Sequence, residues 1–160
     1  MRNMLAAVAA LLFLTLSVET SPALARDLPA NGMTREQIAS WLRGRGYAAE
    51  IKTDSTSGDI YVASTVGGVN FGIYLYGCDG DVCPDLQYSA GWSGLNSVTS
   101  DQLNNWNRDN RYVRAYISKD GGVFGEYDVD IAAGGTWEQL NHSLDRWADV
   151  LGAYGKFLNQ

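Results

Sequence analysis

The residues of this sequence that could carry chemistry are one histidine, a scatter of carboxylates and two cysteines. A histidine base needs a nucleophile beside it in a pocket. His142 lies about 200° around a helix from Leu140, opposite the apolar stripe, where water would surround it. No G-x-S-x-G elbow accompanies it, because Gly91-Trp92-Ser93-Gly94 misses that spacing by one residue. Glu126, Asp128 and Asp130 alternate and would share a strand face, where paired carboxylates could cleave a glycosidic bond. The alternative, which we favour, is ion pairing across a hairpin with Arg111 and Arg114, each pair contributing under about 1 kcal/mol when exposed. Asp79, Asp81 and Asp85 lack the glycine and the final glutamate of an EF-hand loop, and are expected to form a solvated turn. No catalytic, cofactor-binding or metal-ligating residue is therefore assigned.

Cys78 and Cys83 fall in Y-G-C-D-G-D-V-C-P. An even pair in a turn-like segment of an exported protein most simply forms a disulfide that fixes local shape. A metal would need two more soft ligands, and the chain has no second cysteine pair and a single His. The remaining candidate is a basic run, W-N-R-D-N-R-Y-V-R-A-Y, from Trp106 to Tyr116. Arg108, Arg111 and Arg114 crowd into seven residues of a chain whose net charge is −6. With Tyr112 and Tyr116 they could hold an acidic or extended peptide, a phosphate or a lipid headgroup. Alternatively Arg111 and Arg114 pair with Asp128 and Asp130, while Arg108 sits favourably at a helix end. The excess of 18 Asp+Glu over 12 Lys+Arg argues against nucleic acid as a partner.

These residues must be positioned by a folded domain. A chain of 160 residues, 46% hydrophobic and 19% charged, is too apolar for disorder and long enough for its own core. Arg2, the apolar run Leu5–Leu16 and Ala23-Leu24-Ala25 make a secretory signal peptide over residues 1–25, with cleavage after Ala25. The apolar run is too short to span a bilayer, so the mature chain is expected in the periplasm or secreted, without membrane insertion. Residues 26–33 are expected to be a flexible leader, and residues 34–160 a single domain.

Three capping boxes announce three helices: Thr34 with Gln37, Thr99 with Gln102, and Thr136 with Gln139. The first helix, about 35–45, presents Ile38, Trp41 and Leu42 and stops at Gly46. The last carries Trp137, Leu140, Leu144, Trp147, Leu151, Tyr154 and Leu158 in one stripe, expected to lie on the protein's own sheet. Between them the period falls to two, giving strands around Ile60–Val62, Val69–Leu75, Leu86–Tyr88, 112–117 and 123–131. The predicted order is α-β-β-β-α-β-β-α. For the last two strands, an Asp120-Gly121-Gly122 loop keeps apolar residues facing one another. That register sets 117, 115 and 113 against 125, 127 and 129, Arg114 against Asp128, and Tyr116 against Glu126.

Residues 103–117 (L-N-N-W-N-R-D-N-R-Y-V-R-A-Y-I), 76–92 (Y-G-C-D-G-D-V-C-P-D-L-Q-Y-S-A-G-W) and Gly134-Gly135-Thr136 together resemble the YbjN family of bacterial sensory transduction regulators. The resemblance extends over Thr34 to Leu158 and makes Trp106, Asn107 and Asp128 family-motif structural residues. It implies a fold similar to type III secretion chaperones, an α+β arrangement of an antiparallel sheet with helices, and supplies no catalytic residue or cofactor. The family name suggests regulation inside the cell, whereas the signal peptide and paired cysteines point outside it. The expectation is a non-enzymatic periplasmic module whose partner is a protein or peptide, with a homodimer left open. The alternatives are an envelope hydrolase using Glu126 and Asp128, or a small-molecule sensor with an apolar pocket between helix and sheet.

Overall fold

A computed structural model gives the protein's structure over residues 26–132 and 134–159; the expected signal peptide lies outside the described residues. The elements run α1 (Arg35–Gly44), β1 (Glu50–Thr53), β2 (Ile60–Val66), β3 (Val69–Tyr76), β4 (Asp85–Trp92), α2 (Ser100–Asp109), β5 (Arg114–Ile117), β6 (Val123–Asp130) and α3 (Trp137–Leu158). The fold is α+β, with six strands rather than the five expected. The added strand is β1, whose four residues are all exposed and so leave no apolar alternation to detect. Each helix starts on its threonine, with both halves of the capping box formed. Each box satisfies two amides that a helix start leaves unpaired.

The strands make one antiparallel sheet in the order β1-β2-β3-β4-β6-β5. Alternation sends Val62, Ile73, Leu86 and Tyr88 to one side, where they meet Ile38 and Leu42 of α1 and Leu140, Leu144 and Trp147 of α3. Tyr88 is wholly buried and stacks on Trp147 with ring centres 5.5 Å apart. Its hydroxyl shares a 2.9 Å hydrogen bond with Ser143, so this polar atom is paired, whereas the neighbouring Trp147 indole N–H is buried without a partner. A second cluster joins Leu103 and Trp106 of α2, Ala115 of β5, Val123 of β6, and Tyr154 and Leu158 of α3. All three helices thus lie on one face of the sheet, and among the described residues the other face carries no helix.

Two expectations are corrected. The β5–β6 hairpin pairs Arg114 with Glu126 and Tyr116 with Phe124, two residues away from the predicted register. The loop is Lys119-Asp120-Gly121, closed by Ser118 and Gly122, whose amide and hydroxyl bonds are 2.8 and 3.0 Å. Gly121 has φ +86, so the first of the two glycines takes the left-handed position, and the register follows from it. A shift of two leaves every side chain of β5 and β6 on its predicted face, which is why alternation alone could not detect it; Tyr112, expected in the strand, falls before β5 and leaves its predicted face.

Residues 26–33 are not a loose leader. Leu28 and Met33 are buried, Met33 exchanges two 3.0 Å backbone bonds with Cys83, and Leu28 donates to Gly135 at 2.8 Å. The segment therefore ties the Cys loop and the start of α3 together.

Candidate functional site

The basic run is divided by the sheet. Arg108 ends α2 in exposed contacts with Asp109 at 2.8 Å and Asn105 at 2.9 Å. Arg111 is exposed. Tyr112 turns to the helix side, where the Arg146 guanidinium lies 4.2 Å over its ring and Tyr127 meets it edge-on. Its φ of +74 is strained for a side-chain-bearing residue, and the Arg146 contact offsets part of that cost. Arg114 and Tyr116 lie on the helix-free side. The five residues therefore form no single patch.

The arginine partner also differs from the expectation. Arg114 pairs with the buried Glu126, which also accepts a 2.8 Å bond from the Tyr116 hydroxyl. The Arg114 guanidinium further lies 5.5 Å from the centre of the Tyr116 ring. Burial, and then the bond to Glu126, push the Tyr116 phenol up to about 12. Asp128 accepts instead from the Gln87 side chain at 2.7 Å, and Asp130 from the amide of Ala132 at 3.0 Å. The expected Arg111 and Arg114 pairs with Asp128 and Asp130 are thus replaced by one Arg114–Glu126 pair, as the shifted register requires.

Asn107 pairs with the backbone of β5. Its amide donates to the carbonyl of Ala115 at 2.9 Å and accepts from the amide of Ala115 at 2.8 Å. It substitutes for a neighbouring strand and closes the outer edge of β5. Trp106, one residue earlier, is buried against Tyr154 and Phe157. Cys78 and Cys83 are bridged. His142 is exposed on the outer side of α3, 3.9 Å from Glu138.

The helix-free face holds what the sequence reasoning missed, a broad groove of about 770 Å³. Tyr61, Asn70, Tyr74 and Phe124 line it, with Glu50 and Lys52 at one end. Tyr61 and Tyr74 stack with centres 5.0 Å apart. They lie across Gly72, where a Cβ would come within 2.9 Å of both rings; at Gly91 a Cβ would come within 2.7 Å of Phe124. The two glycines thus make a floor over which the aromatic rings lie flat. Burial and the neighbouring Tyr61 push the Tyr74 phenol up to about 12. The available signal was tyrosines at 61, 74 and 76, on the side of their strands opposite the core residues.

A six-stranded antiparallel sheet with all its helices on one side and an aromatic groove on the other defines the class: an open-faced α+β domain. The chain belongs to the YbjN family, described as "Putative bacterial sensory transduction regulator", whose model matches residues 34–159. That description is of a regulator and names no reaction. No match is found among curated proteins.

Proposed function

We propose that the protein is a non-enzymatic binding module of the cell envelope, exported to the periplasm, that takes a segment of a protein or peptide partner on the helix-free sheet face. The groove over Gly72 and Gly91 carries this reading. Its volume is in the range of ligand sites, and its flat aromatic rings beside polar groups such as Asn70 suit an extended chain. Neither Glu126 nor Asp128 is among its lining residues. Glu126 is engaged by Arg114 and Tyr116, and Asp128 by Gln87, which favours binding over carboxylate hydrolysis. A Cys78–Cys83 bridge suits an oxidising compartment, in line with the signal peptide expected over residues 1–25.

The test is photocrosslinking in living cells from position 74, with position 142 as control. The reading predicts one specific adduct from 74, lost in Tyr61→Ala, on a protein whose N-terminus is Arg26. Equal capture from both positions, or a chain that retains Met1, would contradict it.

A further inference from the structure

The two edges of the sheet are finished differently. β5 is closed by Asn107, whereas no strand among the described residues pairs with the outer side of β1. An open edge offers a row of backbone donors and acceptors to another strand. Two of the four exposed large hydrophobic residues among those described stand here, Ile51 at 39% and Ile60 at 44% exposure. Both are on the helix side of the sheet, since Ile51 pairs with Val62 and Ile60 with Thr53. On the other side, Glu50 and Lys52 project together, 3.1 Å apart within one chain.

This four-residue pattern is complementary to itself. We propose that β1 pairs antiparallel with β1 of a second copy of this chain, Ile51 opposite Ile51 and Glu50 opposite Lys52. Residues directly opposite in an antiparallel pair lie on the same face and interact, favourably when their charges are opposite. Sliding the register by two in one direction sets Glu50 against Glu50. Sliding it by two in the other sets Lys52 against Lys52 and Glu50 against Asp54. A slide by one sets Ile51 against Lys52. Only the proposed register matches both faces. A lone edge lysine would blunt the strand; a lysine two residues from a glutamate instead selects this partner.

The consequence is geometric. The two-fold axis stands perpendicular to the sheet, so both helical layers fall on one side and both open faces on the other. Glu50 and Lys52 line one end of each groove, and pairing through them brings the two grooves end to end. The inference stands on the edge alone and does not depend on what the groove binds.

The test is sedimentation equilibrium of the purified protein over about a hundredfold range of concentration, because a short-strand interface belongs to the small, transient class. Glu50→Lys and Lys52→Glu are measured alone and mixed in equal amounts. Both side chains are exposed, at 72% and 47%, so neither change touches the core, and circular dichroism checks that the fold is kept. The wild type is expected to reach twice the monomer mass. Each variant alone should associate at least about tenfold more weakly, and the mixture should recover, since lysines then face glutamates. A monomeric wild type at the highest concentration would overturn the proposal. So would single variants that dimerise as well as wild type, or a mixture no better than its components.

Discussion

The same strands present two unlike faces. On the helix side Val62, Ile73, Leu86 and Tyr88 are buried under α1 and α3. One residue away along each strand, Tyr61, Tyr74, Gln87 and Glu126 stand on the other side with no helix above them. The first face is a packed interior in which the Tyr88 and Ser143 hydroxyls pair with each other. The second keeps aromatic rings partly exposed and arranges them over two glycines. On the proposed reading, stability resides in the first face and recognition in the second, so substitutions should separate them.

The largest effect is expected on the covered face. Trp147 is fully buried between Phe71 and Tyr88, and Trp147→Ala should cost about 3–5 kcal/mol in urea unfolding. Next comes the sealed edge. Asn107→Ala strands the amide and carbonyl of Ala115 and should cost about 1–3 kcal/mol, with faster hydrogen exchange confined to β5. On the open face, Tyr74→Ala removes one stacked pair, and the loss should stay near 0.5–1.5 kcal/mol while partner capture falls. A loss on the open face as large as that of Trp147→Ala would erase the contrast between the two.

The smallest effect is one of pH. Tyr74 and Tyr116 each titrate at about 12 in the fold, above the ordinary value of 10.0. The neutral phenols are therefore favoured by folding, and their contribution is intact below pH 10. It declines as the unfolded chain ionises first, and is gone once pH has risen through the folded values. Glu126→Gln removes a carboxylate that raises the Tyr116 and Tyr76 values, so both phenols should ionise at lower pH in an ultraviolet titration. An unchanged titration would detach Tyr116 from Glu126.

Local signals made much of this legible in the sequence. The three Thr-x-x-Gln boxes, the α3 stripe, the Cys78–Cys83 bridge and the core faces of β2 to β6 depend only on near neighbours and periodicity. What escaped depends on long-range geometry. The hairpin register turned on which of two adjacent glycines is left-handed, and a slip of two preserves alternation. The basic run looked continuous because residues 108–116 are adjacent in sequence, yet they leave a helix, pass a strained Tyr112 and enter a strand, so its members part. The pairing of Asn107 with Ala115 is invisible until α2 lies beside β5. The groove needs β2, β3, β4 and β6 side by side before Gly72 and Gly91 form its floor.

The central claim, that the helix-free face is the one occupied in the cell, is tested most directly by tyrosine footprinting of the protein in intact cells and after purification. Tyr61 and Tyr74 should be less modified in cells than in the purified state. Tyr112, 55% exposed and on the opposite side of the sheet, should be modified equally in both. Equal modification of Tyr61 and Tyr74 in the two states, or protection of Tyr112 alone, would contradict the account.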